Sequence, residues 1–203
     1  MTVPHRPELT SLPPQHPVDV FLVFTDGDRI LLALREGTGY RDGWWNVPSG
    51  KLEHGEDALH GIRREAFEEI GVRLAGDEPR FAGVVHHRNP EGQGRFALIF
   101  AAEFDASRHG EPVNREPHKC AEIRWWPLTD ELPSNTVPYT AAGIEVWRNG
   151  GGLQISGWQE QADRVLPRPD RHTTATALDR DEPKTGDTAM TNDRTRATPG
   201  RAQ

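Results

Sequence analysis

Residues 50–72, GKLEHGEDALHGIRREAFEEIGV, form the most informative stretch of the chain. Within it, Glu65, Glu68 and Glu69 stand at i, i+3 and i+4, so on a helix their carboxylates share one face. Like charges at that spacing destabilise a helix by about 0.2–0.5 kcal/mol per pair. A bound cation compensates such a cluster, and carboxylate oxygens suit hard ions such as Mg²⁺ or Mn²⁺. A bare E-x-x-E-E is more often a solvated helix face, so the interpretation depends on the surrounding residues.

Those surrounding residues stand at fixed distances from the acidic cluster. From Gly50 to Val72 the spacing is G-x5-E-x7-R-E-A-x-E-E-x-G-V. It resembles the Nudix box, G-x5-E-x7-R-E-U-x-E-E-x-G-U, in which U is a bulky aliphatic residue. Seven fixed letters match, which a random sequence does at about one in 10⁸ starting positions. Ala66 is smaller than the usual aliphatic residue at the first U, which weakens a packing contact and leaves every acidic position intact.

The resemblance implies a hydrolase that cleaves the diphosphate linkage of a nucleoside di- or triphosphate derivative with Mg²⁺ or Mn²⁺ as cofactor. Carried over position by position, Glu65, Glu68 and Glu69 are the expected metal ligands. The carbonyl of Gly50 is a further expected ligand. One of Glu68 and Glu69 is expected to orient or deprotonate the attacking water. Arg64 lies four residues before Glu68 and is expected to pair with it and fix its rotamer.

Acids outside the helix are weaker candidates. Several members of the family complete the metal shell with an acid from a distant loop, and Glu116 is the first candidate for that ligand. Glu111 and Glu103 are lower-ranked candidates. Each of these acids is equally well explained as an exposed loop glutamate without a function. Glu56 is interpreted as structural first and catalytic second, because negative charge is favoured near a helix N-terminus.

Composition sets the limits of the domain. Apolar residues make up 34% of the chain, and the shortage is concentrated at the two ends. Residues 1–16 are rich in proline, and residues 160–203 are rich in Arg, Asp, Thr and Pro without an apolar repeat. Both segments are predicted to be disordered, which leaves residues 17–159 as one Nudix domain.

Charge and cysteine content restrict the partners. The formal net charge of −7 belongs to residues 1–159, because residues 160–203 hold eight acids and eight bases. An acidic body does not attract a nucleic-acid polymer, so a small-molecule nucleotide is the expected partner. The sequence predicts neither a signal peptide nor a membrane segment, and Cys120 stands alone. A cytoplasmic location is therefore expected, and the resemblance leaves a homodimer open.

The hydrophobic pattern predicts a mixed α/β fold, and the resemblance implies the Nudix fold, a mixed sheet between helices. Strands are expected over residues 18–25, 29–35, 44–48, 80–88, 95–104, 121–126 and 153–158. A tight turn is expected at residues 48–50. The box helix is expected from near Asp57 to Gly71, and a second helix over residues 137–148. The predicted apolar stripe of the box helix consists of Leu59, Ile62, Ala66 and Ile70.

Aromatic and basic residues are candidates for substrate contacts. Stacking on an aromatic ring contributes about 1–3 kcal/mol per base. Two adjacent tryptophan pairs lie on predicted strands, Trp44-Trp45 and Trp125-Trp126. Because side chains alternate along a strand, the two members of each pair are expected to point to opposite faces. A tryptophan in such a position is more often part of the core than of a binding site. The same rule places His86 and His87 on opposite faces, so that they cannot share one metal. Weaker aromatic candidates are Tyr40 and Tyr139, and candidate phosphate contacts are Arg88, Arg95 and Lys119.

Two functions fit this pattern. The first is a metal-dependent hydrolase, for which house-cleaning of non-standard nucleoside triphosphates is the leading hypothesis. Sugar, alcohol and dinucleotide polyphosphates remain alternative substrates, because specificity lies in loops. The second is a Nudix-fold nucleotide-binding or sensor module without turnover. The complete set of box acids favours the hydrolase.

Overall fold

The computed structural model describes residues 15–76 and 78–158. Eight strands form one sheet: β1 (Val18–Asp26), β2 (Arg29–Arg35), β3 (Trp45–Asn46), β4 (Ser49–Lys51), β5 (Arg80–Arg88), β6 (Gly94–Glu103), β7 (Cys120–Pro127) and β8 (Leu153–Ser156). The helices of the described part are α1 (Ala58–Ile70), α2 (Ala106–His109) and α3 (Pro138–Arg148). None of these helices is long and apolar enough to cross a membrane.

The sheet is mixed, and its order creates a fork at β1. The main path runs β3-β2-β1-β6-β5-β8, with β1–β6 and β5–β8 parallel and the other neighbours antiparallel. β4 pairs with the start of β1, where Val20 lies opposite Gly50, and β7 pairs with β2. The tip of β1 pairs instead with β2, where Thr25 lies opposite Ile30. β1 therefore has β4 beside one end and β2 beside the other.

Alternation along β1 divides the core into two layers. Phe21 and Val23 belong to a buried cluster that includes Ile144 and Val146 of α3. Leu22 belongs, with Val20 and Phe24, to a second cluster that contains the buried residues of α1, Ile62, Ala66 and Ile70. Since successive side chains of a strand point to opposite faces, α1 and α3 cover opposite faces of the sheet. The predicted mixed sheet between helices is confirmed.

α1 begins and ends where its capping residues require. The Asp57 side chain accepts a hydrogen bond from the backbone N–H of His60 at 2.9 Å, as an N-cap does. Gly71 ends the helix at φ 73°, a left-handed conformation that glycine adopts without steric cost, and its N–H bonds back to the last turn. The predicted limits of the box helix are confirmed.

Several details differ from the expectations. β3 is shorter than the strand expected over residues 44–48, and β8 is shorter than the strand expected over residues 153–158. Leu59 is 42% exposed, so the apolar stripe of α1 consists of Ile62, Ala66 and Ile70 alone. Residues 49–51 form β4, where only a turn was expected at residues 48–50, because β1 offers its free edge to them. The short helix α2 follows β6 without having been predicted. The expectations for residues 1–14 and 160–203 lie outside the described residues.

Candidate active site

A cavity of about 810 Å³ lies in the fork of the sheet. Its walls come from β1, β2, β4 and α1, together with the start of α3 and the segment that leads into β7. All six residues expected to bind metal or act in catalysis line this one cavity: Gly50, Arg64, Glu65, Glu68, Glu69 and Glu116. The second-rank acids Glu56, Glu103 and Glu111 are not among the lining residues.

Glu65 lies directly over the backbone of Gly50. A Cβ atom built on Gly50 would stand 1.8 Å from Glu65 Oε1, far inside van der Waals contact. Gly50 is held there by the pairing of β4 with β1, and Glu65 is held by the buried neighbour Ala66 on α1. The glycine of the box therefore leaves the space that the Glu65 carboxylate occupies over β4.

Arg64 ties the box together through its guanidinium group. Nε and Nη2 donate to the two oxygens of Glu56 at 2.8 and 2.9 Å, a bidentate pair. Nη1 donates to Glu65 at 2.7 Å and to Glu68 at 3.1 Å. The pair with Arg64 lowers the pKa of Glu56 to about 2. Glu56 precedes the N-cap Asp57, so its ion pair with Arg64 is the main contact that holds it.

Glu69 is anchored by the strand that faces it. The backbone N–H of Ser49 donates to Glu69 Oε2 at 2.8 Å. Burial raises the pKa of Glu69 to about 8, and the carboxylates of Glu65 and Glu116 add to the rise, while the Ser49 amide opposes it. Burial also raises the pKa of Glu65, against the effect of Arg64. Burial is the first cause of both shifts, so the surroundings of Glu65 and Glu69 oppose the ionised form of these carboxyl groups.

Glu116 reaches the cavity from the segment before β7. Lys119 Nζ donates to Glu116 Oε1 at 2.7 Å, and the Glu116 N–H donates to Asn114 Oδ1 at 3.1 Å. The backbone N–H groups of Lys119 and Cys120 both donate to the Glu116 carbonyl, at 2.8 and 2.9 Å. This turn fixes a fourth carboxylate opposite the α1 face.

The donor set fits a hard divalent cation. Four carboxylates and the Gly50 backbone line one cavity, and oxygen donors of this kind are those that Mg²⁺ and Mn²⁺ take. Within residues 15–76 and 78–158, no three His, Cys, Asp or Glu side chains are already gathered into a metal cluster. Glu65 and Glu68 are turned onto Arg64, and Glu116 onto Lys119. The carboxylates therefore line one cavity, and three of them form ion pairs with Arg64 or Lys119.

A buried ion pair stands in the part of the cavity that β1, β6 and α3 build. Arg95 donates to Asp19 through Nε at 2.6 Å and Nη2 at 2.7 Å, and the Tyr139 hydroxyl bonds to Asp19 Oδ2 at 3.2 Å. Beside it, the Thr140 hydroxyl donates to Asn46 Oδ1. Sequence analysis missed Asp19, although a lone acid inside the apolar run of β1 signals a buried partner.

Comparison with known proteins identifies the family. A family model described as NUDIX domain matches residues 14–144. The chain belongs to the Nudix family. A MutT-like protein of Streptomyces ambofaciens is 36% identical over 120 residues, covering 59% of this chain and 70% of that protein. An RNA pyrophosphohydrolase of Rhizobium meliloti (strain 1021) is 25% identical over 114 residues, covering 50% of this chain and 68% of that protein.

A solved structure agrees with this assignment. The crystal structure of a MutT NUDIX hydrolase from Burkholderia pseudomallei matches with a TM-score of 0.57 and 28% identity. The match covers 64% of this chain and 97% of that one. The chain is therefore a MutT-like Nudix hydrolase, and the expectation of an enzyme is confirmed.

The aromatic residues proposed for substrate contacts in this Nudix hydrolase lie partly in the cavity and partly in the core. Trp125 and Trp126 pack against different clusters, as alternation predicts. Trp44 and Trp45 pack against the same cluster, so that prediction was wrong, because Trp44 lies outside β3. The cavity is lined instead by the weaker aromatic candidates, Tyr40 and Tyr139.

His86 and His87 lie on opposite faces of β5, as expected. The basic residues proposed for phosphate contacts line two different cavities. His86 stacks on Phe96, and His87 stacks on Tyr139, on the other face of β5. Arg95 and Lys119 line the active-site cavity, each already paired with an acid. Arg88 lies elsewhere, in a second cavity.

Proposed function

We propose that this Nudix hydrolase cleaves the diphosphate linkage of a nucleoside di- or triphosphate derivative with Mg²⁺ or Mn²⁺. The observation that carries the proposal is the set of four carboxylates, Glu65, Glu68, Glu69 and Glu116, that line one cavity together. A divalent cation supplies neutralisation of phosphate oxygens and a lowered pKa of bound water when it is present. Glu65, Glu68 and Glu69 are proposed to hold it, with Glu116 and the Gly50 carbonyl as further ligands.

The protein's own residues orient this acidic face. Arg64 fixes Glu65 and Glu68 from one side, and the Ser49 amide fixes one oxygen of Glu69 from the other. The second oxygen of Glu69 and the half-exposed carboxylate of Glu68 remain as candidates for orienting the attacking water. Matched Glu68→Gln and Glu69→Gln variants assign the role, because glutamine keeps the shape and removes the proton acceptor.

Non-standard nucleoside triphosphates are the leading substrate class. The 36% identity to a MutT-like protein supports a MutT-like hydrolase, and the substrate class is proposed from the family resemblance of the sequence. The relative named as an RNA pyrophosphohydrolase adds 5′-triphosphorylated RNA as a second class to measure, although the net charge of −7 favours a small nucleotide. Both classes place a chain of phosphates at the same carboxylates, so the proposed chemistry is common to them.

A substrate screen tests the proposal. Products are separated by chromatography after reaction at pH 8 with Mg²⁺, so that nucleotides, sugar phosphates, phosphate and pyrophosphate are all detected, across nucleoside triphosphates, oxidised nucleotides, nucleotide sugars, dinucleotide polyphosphates and 5′-triphosphorylated RNA. Glu69→Gln serves as the blank and is expected to lower kcat by about 10²–10⁴-fold. Glu103→Gln, an exposed glutamate outside the cavity, is the matched control and keeps the wild-type rate. Wild-type turnover in Glu69→Gln would remove Glu69 from the site.

Removal of metal gives a second test. Excess EDTA is expected to abolish turnover, because the carboxylates then have no cation through which to act on a phosphate. Addition of Mg²⁺ or Mn²⁺ beyond the chelator restores the rate. Full turnover in excess EDTA, with the metal content verified by elemental analysis, would contradict the proposed role of the carboxylates.

A further inference from the structure

A second cavity, of about 530 Å³, adjoins the active-site cavity. Tyr40 and Tyr139 line both cavities and so form the boundary between them. The other lining residues of the second cavity come from the segment before β3, from the end of β5 and the loop after it, from the start of α3 and from the end of β8. They include Arg41, His87, Arg88 and Ser156. Its volume is within the range of small-molecule sites, about 300–1,000 Å³.

The two cavities differ in their charged lining residues. The first is lined by six acids and by five bases, so its charges largely balance. The described residues that line the second include no Asp or Glu, and they include Arg41 and Arg88. A cavity with fixed positive charge and without acids favours an anionic group over a neutral nucleobase.

Both arginines are held by aromatic rings. The guanidinium of Arg41 stacks on Trp44, 4.5 Å from the ring centroid, and that of Arg88 lies 5.6 Å from the centroid of Trp158. Arg88 Nε also donates to the Gly92 carbonyl at 3.3 Å. Stacking orients a guanidinium while leaving N–H groups at its edge for an anion. Neither arginine has an ion pair among the described residues.

Tyr139 forms the wall between the cavities and fixes their relation. Its hydroxyl bonds to Asp19 in the active-site cavity, and its ring stacks on His87 at 4.6 Å between centroids on the side of the second cavity. His87 is held in turn by Ser156 Oγ at 3.2 Å from Nδ1. α1 carries the carboxylates on one face of the sheet, and α3 carries Tyr139 from the other. Because the exposed Tyr40 lines both cavities, a substrate with its diphosphate at the carboxylates of α1 reaches the second cavity by extending along Tyr40.

We propose that the second cavity binds a further phosphate of the substrate, one that is not cleaved and that the sugar carries. Arg41 and Arg88 meet its oxygens with charge-assisted hydrogen bonds, and Tyr40 and Tyr139 contact the sugar between the two sites. This inference rests on the proposed hydrolysis of a nucleoside polyphosphate. The same phosphate chemistry has two sources: a free phosphate on the 3′ or 2′ oxygen of a mononucleotide, and the phosphodiester of an oligonucleotide that begins with the 5′ polyphosphate.

Binding measured without turnover tests the inference on the full-length protein with Mg²⁺. Calorimetry compares a nucleoside 5′-monophosphate with its 3′,5′-bisphosphate and with the 5′-phosphorylated dinucleotide, in adenine and guanine series. None of these ligands contains the diphosphate linkage. The second phosphate is expected to tighten the Kd by about tenfold, a gain of about 1.4 kcal/mol. Tighter binding of the bisphosphate alone would show that the second cavity takes the free phosphate of a mononucleotide. Tighter binding of the dinucleotide as well would show that it also takes a phosphodiester.

Variants show whether the arginines cause the gain. Arg41→Gln combined with Arg88→Gln is expected to bind both mononucleotides equally, whereas Arg41→Lys combined with Arg88→Lys keeps part of the gain. Arg80→Gln, an exposed arginine at the other end of β5, is the control and keeps all of it. Circular dichroism verifies that each variant is folded.

The outcomes separate this inference from the proposed function. Turnover in the substrate screen without any gain from the second phosphate overturns the inference and leaves the proposed function standing. A gain that survives in the double glutamine variant also overturns it. Absence of both nucleotide binding and turnover contradicts the proposed function and the inference together.

Discussion

At the scale of single residues, Gly50 leaves room for the Glu65 carboxylate beside β4. Gly50→Ala introduces a Cβ atom 1.8 Å from the present position of Glu65 Oε1, so Glu65 must move. Misplacement of a catalytic group by about 1 Å can cost about 10²-fold in rate, and a loss of that order in kcat is expected. The measurement is steady-state kinetics beside thermal unfolding. A variant with an unchanged rate would show that Glu65 does not need its place over Gly50.

The pair Asp19–Arg95 is expected to stabilise the fold as a unit. Asp19 is buried, so Asp19→Leu leaves the Arg95 guanidinium without its partner and is expected to lower the free energy of unfolding by about 2–3 kcal/mol. Arg95→Leu acts in the same direction. The double variant is expected to lose less than the sum, with a coupling of about 1–3 kcal/mol, because no unpaired charge remains. Urea denaturation measures all three, and additive losses would contradict the coupling.

Local periodicity brings together only the site residues of the box, whereas Glu116 was expected from the family resemblance. The box places its acids and Arg64 within a short stretch, where helix periodicity alone brings them to one face. Asp19 and Arg95 lie 76 positions apart and meet because β1 and β6 are parallel neighbours, with Asp19 opposite Ala97. No local sequence pattern encodes the pairing of β1 with β6. A buried partner could therefore be expected for Asp19, but Arg95 could not be identified as that partner.

At the scale of elements, α1 depends on its N-cap. Asp57→Ala removes the acceptor of the His60 N–H and is expected to lower the free energy of unfolding by about 1 kcal/mol. Asp57→Asn keeps an acceptor at the same position and is the matched control, expected to retain most of the stability. Thermal and urea unfolding measure the difference. Equal stability of the alanine and asparagine variants would show that the cap contributes nothing.

The elements themselves were largely predictable, and the exceptions have a common cause. β2 and β5 begin and end at the predicted residues, because their apolar runs are bounded by turn residues. β4 was predicted only as a turn, since Ser49, Gly50 and Lys51 have little intrinsic strand preference. They form a strand because β1 leaves an edge beside them, which is a property of the sheet and not of the segment.

At the scale of the whole molecule, the arrangement of strands produces the two cavities. The fork at β1 forms the cavity that holds the box carboxylates, and the ends of β5 and β8 contribute to the second cavity. The order of strands combines parallel and antiparallel pairs across segments far apart in the chain. The pattern of apolar residues predicts each strand but not its neighbours. The family resemblance therefore supplied the architecture, and the second cavity could be found only in the folded chain.

Domain limits give the last prediction. Both buried clusters are built between Val20 and Val146, and the family match ends at residue 144, so a chain truncated after Trp158 is expected to fold and to hydrolyse its substrate as the full chain does. Truncation after Asn149 is the matched comparison. It removes β8, which pairs with β5 beside Val84, and is expected to lower the unfolding temperature. Calorimetry and the hydrolysis assay measure both forms. An insoluble or inactive product of the longer truncate would place residues beyond Trp158 within the functional domain.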